Sequence, residues 1–278
     1  MNKAGMSRKR LNGIILQFIL GLLSLLVLVP LYMILVNSLK TYGEAAQMRL
    51  SLPTEWSFEN YKVVFSQGNI LGGYFNSILI GGFTVCAIII TGCLAAFVIQ
   101  RRKGRLTNFI YYVFVAGLVI PVALVPTIKT LVGFHLHNTY LGMILYYSAI
   151  LLPFTIFLLT GYLKTIPREL DESAIIDGSG YLRLFFTIIF PIMRPVIVTA
   201  SLIIIINIWN DFIGPFYLLS DSDKWTVTVS VYNYVGKYGT NWSLVFADVI
   251  AVITPILVVY FLLQRHIVEG MTAGAIKG

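Results

Sequence analysis

Charge is scarce in this chain. Only 12% of its 278 residues are Asp, Glu, Lys or Arg, where soluble domains carry about 25%. Hydrophobic residues make up 58% and the mean hydropathy is +0.84. A large soluble core is a poor account of that balance, because several apolar runs approach the roughly 20 residues that cross hydrocarbon. The runs are continuous rather than alternating at every second position, which argues against a β-barrel. Cysteine is nearly absent: Cys86 and Cys93 stand seven residues apart, about 10 Å of helical rise, too far to be bridged. They read as small packing residues and say nothing about redox compartment. Histidine is also rare. His135 and His137 form an H-x-H in a short loop, and His266 lies at the end of an apolar run; two ligands without a third do not make a metal site, and no catalytic set converges at one depth. No G-x4-G-K-[ST] phosphate loop occurs, so no ATP hydrolysis is expected from this chain alone. No basic patch interleaved with exposed aromatics is present, and the net charge of +8 therefore does not read as nucleic-acid binding.

What is present is a set of six apolar runs: 13–36, 75–99, 109–131, 140–163, 195–219 and 244–263. The expectation is an all-α fold, a polytopic membrane bundle of six transmembrane helices in one domain. With the N-terminus in the cytoplasm, the inner segments hold fourteen of the 20 basic residues, among them Arg8–Arg10, Arg101–Arg105, Lys164, Arg168, Arg183, Arg194 and Arg265. Six fall on the other side. By the positive-inside rule both termini are expected in the cytoplasm. The N-terminal basic residues and apolar run resemble a signal peptide, but the run is long and no small-residue cleavage site comes after it, so an uncleaved first span is expected. The second run is rich in small residues, Gly81, Gly82, Ala87, Gly92, Ala95 and Ala96, which let helices approach closely in lipid.

Residues 164–194 interrupt this pattern with charge and turn signals. Pro167 suits the first turn of a helix, and Glu169, Asp171 and Glu172 favour its positive end. Gly178 can take the left-handed conformation that ends it. Ser179 is placed to cap a second short helix running to Pro191. A helix-turn-helix along the membrane surface is expected, with Ala174 and Gly178 leaving room for another surface to approach. An amphipathic connector resting on headgroups is the competing account of the same pattern.

The spacing E-S-A-x3-G-x9-I-x-F-P, at Glu172, Ser173, Ala174, Gly178, Ile188, Phe190 and Pro191, resembles the E-A-A-x3-G-x9-I-x-L-P signature of ABC-importer permeases. It departs from that signature at Ser173 and Phe190. Pro153-Phe154 through Gly161 to Ile166-Pro167, the run Trp209-Asn210-Asp211-Phe212 with Pro215, and the tail 264–278 resemble the sugar-transport branch, and the Gly/Ala-rich tail is similar to the maltose-type six-span subunit with a short C-terminal extension. The resemblance covers essentially the whole chain. It implies a type I ABC importer permease fold and a subunit that forms a sugar pathway with a second permease. It also implies two ATPase subunits, which use ATP and Mg, and an extracytoplasmic solute-binding protein. This chain itself would hold no cofactor and no metal. By the same resemblance Glu169, Glu172, Ser173, Ala174, Asp177, Gly178 and Gly180 would couple to the ATPase, and Gly270, Thr272, Gly274 and Lys277 of the tail would reach it.

For the solute path the residues themselves point to the fifth run. Asp211 lies about 24 Å along it from Pro195, with Asn207, Trp209 and Asn210 nearby and Gly214-Pro215 just beyond. Polar groups at membrane depth tend to face the bundle interior or a cavity, and aromatic rings with Asn and Asp suit a polyhydroxylated solute. A polar packing cluster with Trp209 as a belt aromatic is the alternative. Pro121 and Pro126 would kink the third span. The outer loops 37–74 and 220–242 are candidate docking surfaces for the binding protein. An ion-coupled secondary transporter would carry more central acids and inverted repeats, neither of which is evident; an ABC permease for a non-sugar solute is disfavoured only by the resemblance of the tail and the Trp-Asn-Asp run to sugar permeases.

Overall fold

The computed structural model describes the backbone of residues 3–102, 104–236 and 239–275; the side chains of 3–12, 14, 259, 260 and 262–275 fall outside the described residues. Thirteen α-helices carry the described backbone, with one hairpin of two-residue strands, β1 (Val235–Gly236) and β2 (Gly239–Thr240). The chain divides into two compact units.

The first unit comprises Met1–Asn69 and Val231–Thr254. Helix α1 (Lys3–Ser38) is apolar from Ile15 onward, and only 6% of its most apolar window is buried. Its leucines and isoleucines therefore face outward, as lipid-facing side chains do. Its last turn enters a polar knot. Asn37, Ser38 and Lys40 are buried. Lys40 Nζ donates to Asn37 Oδ1 at 3.1 Å and to the Arg49 carbonyl at 2.7 Å. Asn60 Nδ2 donates to the carbonyls of Ser38 and Lys40, both at 2.9 Å. Burial holds the Lys40 ammonium below its ordinary pKa, with Glu44 acting in the opposite sense. Asn60, within the 37–74 loop expected to dock a partner, is thus an internal staple between helix α3 (Glu59–Gln67) and the end of α1. Trp56 and Phe58 remain exposed and stack with ring centroids 6.3 Å apart. Helix α2 (Tyr42–Ala45) is a single turn. Helix α13 (Trp242–Ala275) starts under Asn241, whose Oδ1 accepts from the Ser243 hydroxyl at 2.8 Å and the Leu244 N–H at 3.3 Å. Two turns in, Asp248 is fully buried, an acid that the sequence pattern does not distinguish. Burial and the nearby Asp248 charge push the Tyr234 hydroxyl up to about 12.

The second unit comprises Ile70–Ser230 and Pro255–Gly278. Its centre is the packing of α4 (Ile70–Arg101) along α7 (Tyr140–Leu163), with α5 (Arg105–Gly117) on α7 and α11 (Arg194–Asn210) against both. Close approach is set by Gly92: a Cβ there would meet Leu159 Cδ1 at 3.3 Å and Thr155 Cγ2 at 3.5 Å. Beyond the helix's own backbone and their chain neighbours, a Cβ at Gly81 or Gly82 would meet none of the described residues within 4 Å, so only part of the small-residue stripe serves this contact. Around it Ile88, Cys93 and Ala96 join Leu159, Leu163 and Phe185 in one buried cluster. Thr139 caps α7 by accepting from the Gly142 N–H at 3.0 Å, a bond of about 1 kcal/mol. At the same end Asn76 donates to the carbonyls of Asp223 and Trp225 at 2.8 and 2.9 Å and accepts from the Tyr140 hydroxyl at 2.9 Å.

Among the described residues, Ile15–Ser38, α4 and α7 are long and apolar enough to cross a membrane. Tyr181–Ile192 and Arg194–Asn210 pass the same test together, with a 73° bend between them. The run expected at 109–131 is two helices, α5 and α6 (Leu124–Gly133), separated at 118–123. Pro121 stands in that gap, where its missing N–H breaks the ladder. The run expected at 195–219 is likewise interrupted, at Asp211-Phe212, and Gly214-Pro215 lie inside α12 (Ile213–Leu218).

Candidate functional site

Two polar regions of the second unit stand out from its apolar packing. The first comes after α7. Helix α8 (Glu169–Ile176) has Glu169, Asp171 and Glu172 in its first turn, where carboxylates complement the free N–H groups. It ends in a Schellman turn. The Ser179 N–H donates to the Ala174 carbonyl at 2.9 Å, the Gly178 N–H donates to the Ile175 carbonyl at 3.0 Å, and Gly178 has φ +80°. A side chain at that φ costs on the order of 1 kcal/mol. The next helix starts one residue later than expected, with Gly180 at its N-cap position, so Ser179 does not cap it. Gly180 precedes α9 (Tyr181–Leu184) in extended conformation without a side-chain cap. A π turn at Phe185–Ile189 and α10 (Phe190–Ile192) complete the segment.

The predicted coupling residues divide by face. Glu169, Glu172, Ser173, Asp177, Gly178 and Gly180 lie at the surface. Ala174 is 4% exposed and packs into the buried cluster of its own unit; its methyl holds α8 onto the bundle and does not leave room for an incoming surface. The Ser173 hydroxyl donates to the Leu170 carbonyl at 3.1 Å, so the departure from the signature is satisfied within its own helix. Sequence reasoning passes over the apolar part of this surface: Ile176 is 85% exposed, Leu182 73% and Tyr181 72%. It also passes over the partner of Asp171, which is buried against Arg101 of α4 with Nε–Oδ2 at 2.6 Å and Nη2–Oδ1 at 3.2 Å. Burial raises the Asp171 carboxyl above its ordinary range, while Arg101 and Arg168 pull it back.

The second region is a cavity of about 400 Å³ where α11 ends, within the range of small-molecule sites. Its polar lining is Tyr146 and Tyr147 of α7 with Asn207, Asn210 and Asp211; Val122, Ile150, Leu151 and Ile206 supply apolar walls. Asp211 Oδ2 accepts from the Tyr147 hydroxyl at 3.1 Å and Oδ1 accepts from the Gly214 N–H at 3.1 Å. The carboxylate thereby tethers α7 and caps the restart of the helix at α12. Asn207 and Asn210 donate their amides to the Ile203 and Ile206 carbonyls at 2.8 and 2.9 Å. Their Oδ1 atoms remain capable of accepting. The two tyrosine rings lie 5.2 Å apart at 56°. Three of the four residues expected in the path, Asn207, Asn210 and Asp211, meet here. Trp209 does not line the cavity; it stacks on Tyr74 of α4 at 6.2 Å, and its carbonyl accepts from the Thr228 hydroxyl. Tyr146 and Tyr147 are absent from the expected set, although an adjacent tyrosine pair inside an apolar run is a readable signal. The tail residues Gly270, Thr272, Gly274 and Lys277 lie outside the described side chains. Among the described residues no group of three or more His, Cys, Asp or Glu is placed to hold a metal ion.

A helical bundle with apolar membrane-length helices, an exposed turn after α8 and an open cavity with a few polar groups fits a membrane transport subunit. Residues 88–272 match the family described as binding-protein-dependent transport system inner membrane component, and the chain belongs to that family. It is 34% identical over 279 residues to the diacetylchitobiose uptake system permease protein NgcG of Streptomyces coelicolor, covering 99% of this chain and 92% of that protein. It is 32% identical to the melibiose/raffinose/stachyose import permease protein MelC of Bacillus subtilis, covering 90% of this chain and 91% of the other. A crystal structure of a bacterial ABC transporter involved in the import of the acidic polysaccharide alginate superposes with a TM-score of 0.82 at 21% identity, over 93% of this chain and 97% of that one. The fold is the type I ABC importer permease fold, and the chain is an inner-membrane permease.

Proposed function

We propose that this permease carries neutral oligosaccharides, in an importer driven by ATP hydrolysis on separate subunits. The observation that carries the reading is the pairing of an exposed, Schellman-terminated helix with an acceptor-lined tyrosine cavity in one bundle. The names of the relatives, which are permeases for di- and oligosaccharides, point the same way. The chain crosses the membrane six times with both termini in the cytoplasm, which puts α8 on the cytoplasmic side. A second permease completes the pathway. Two ATPase subunits, using ATP and Mg, close on α8, where Glu169, Glu172, Ser173, Asp177, Gly178 and Gly180 face them and Ile176, Tyr181 and Leu182 supply apolar contact. The tail residues Gly270, Thr272, Gly274 and Lys277 add a second contact to the ATPase. An extracytoplasmic binding protein delivers the sugar to the outer side.

At the cavity, Asn207, Asn210 and Asp211 offer oxygen acceptors to sugar hydroxyls, and Tyr146 offers its ring to the C–H side of a pyranose while the buried Tyr147 holds Asp211. Among the described residues the carboxylate is the sole charged group in the lining, and it suits a neutral solute better than an anionic one. Transport comes from alternating exposure of this cavity as ATP closes the ATPase dimer. The test is uptake of labelled neutral di- to tetrasaccharides into vesicles holding this chain, the second permease and the ATPase, with the binding protein outside. Uptake should require both ATP inside and binding protein outside. Uptake that ignores both and tracks a proton or sodium gradient would overturn the reading.

A further inference from the structure

Three ion pairs join described residues, and two of them, Glu59–Lys62 and Asp221–Lys224, are local contacts three residues apart with partly or largely exposed side chains. The third, Arg101–Asp171, joins residues 70 apart, with side chains 10% and 12% exposed. It is a two-point ion pair, Nε lying 2.6 Å from Oδ2 and Nη2 donating to Oδ1 at 3.2 Å, and it is not alone. Arg101 Nη1 and Nη2 also donate to the Ile166 carbonyl at 3.3 and 3.5 Å, and Arg168 Nη2 donates to the Gln100 carbonyl at 2.8 Å. Two arginines therefore reach in opposite directions across one joint, each satisfying backbone carbonyls of the other side.

We infer that Arg101, Asp171 and Arg168 form a rigid clasp that passes displacement of α8 into α4. The inference rests on the reading of α8 as the element on which the ATPase acts. A helix of eight residues is not stable by itself, so its orientation comes from what holds it. The buried side chains of α8 are Ala174 and Asp171, and an apolar methyl contact is non-directional. A planar guanidinium fork on a carboxylate fixes distance and orientation together. On the far side of the joint, α4 is packed along α7 and α11, and α7 and α11 carry the cavity lining. A movement entering through the clasp therefore reaches the walls of the solute path through one helix. Arg101 and Asp171 are positioning residues in this scheme and touch neither solute nor nucleotide.

The test uses the complete importer in vesicles, with two readouts, ATP hydrolysed per sugar imported and a disulfide cross-link from Ser173→Cys to a cysteine on the ATPase. With Asp171→Asn or Arg101→Gln the ratio should rise by about tenfold or more, since breaking one side of a buried pair is costly. The exchange Arg101→Asp with Asp171→Arg should bring it back to within about twofold of the wild type, because the coupling belongs to the pair. Single variants with an unchanged ratio and an intact cross-link overturn the clasp and leave the docking of α8 standing. Where the single variants do not assemble, the exchange variant decides: assembled with a restored ratio it supports the clasp, assembled with a raised ratio it overturns it. A wild-type complex in which position 173 never cross-links to the ATPase overturns the docking reading and the clasp with it.

Discussion

The turn after α8 and the cavity at Asp211 are built on opposite principles. At α8 the polar and apolar side chains point away from the bundle: Ile176, Tyr181 and Leu182 are largely exposed, and the acid turned inward, Asp171, is neutralised by Arg101. At the cavity the groups point inward and are tied to their own chain, Asp211 by Tyr147 and Gly214, Asn207 and Asn210 by the helix carbonyls. A convex surface with large exposed apolar residues suits a macromolecular partner. A concave, pre-satisfied lining suits a small solute that must bind and leave. Changes at the first should alter the use of ATP for every solute alike, and changes at the second should alter which solute is taken and how tightly.

The largest effect is expected from Gly178→Leu, which forces a branched side chain into φ +80° and adds bulk to the exposed turn. Import should fall at least about tenfold, given strain of roughly 1–3 kcal/mol at such a position, while membrane insertion and the amount of protein stay normal. Normal uptake at normal expression sinks the coupling role of this turn. Next comes Ile176→Asp, which replaces the most exposed apolar residue of α8 by a charge. Recovery of the ATPase with the purified permease should drop by about tenfold or more, as for loss of an interface anchor, with the apparent affinity for sugar unchanged. A shift in sugar affinity instead would merge the two regions that the comparison separates. Asp211→Ala removes the acceptor of both Tyr147 and Gly214. The half-saturating sugar concentration should rise by about 3–30-fold, for the loss of one or two bonds of about 1 kcal/mol each, and ATP hydrolysed per sugar should hold steady. If neither affinity nor rate moves, Asp211 does not line the path. The smallest change is expected from Ser173→Ala, which restores the residue usual in the signature. Its hydroxyl is already satisfied by Leu170, so import should stay within about twofold, as for surface substitutions in general; a larger change would show the hydroxyl meeting the partner.

The bundle is legible in the sequence because charge is scarce over the long runs, and the α8 turn is legible because Asp177-Gly178 is a stop signal with a mechanism. Other features depend on partners far along the chain. The break at Asp211 arises from a carboxylate that caps Gly214 and holds Tyr147, and nothing in an Asn-Asp-Phe run separates that from an uninterrupted helix. Pro121 does mark its own break, since the missing N–H is local. Adjacency alone places Trp209 beside Asp211, yet the helical turn carries it to the α4 side, onto Tyr74. Ala174 reads as clearance for a visitor and is a packing methyl. The Arg101–Asp171 joint spans 70 residues, beyond the reach of any local pattern.

The π turn at Phe185–Ile189 bears on how the signature should be counted. The Phe190 N–H donates back five residues to the Phe185 carbonyl, so the segment holds one residue more than an α ladder of the same height would use. Each residue of a regular helix advances the phase by about 100°, and the surplus residue is absorbed without turning Pro191 and the bend after it to another side. The thirteen steps from Gly178 to Pro191 are therefore a length in residues and not a length in turns. A relative with an unbroken α ladder in this stretch would need one residue fewer to present the same faces, so a one-residue gap in an alignment here is compatible with an identical three-dimensional arrangement.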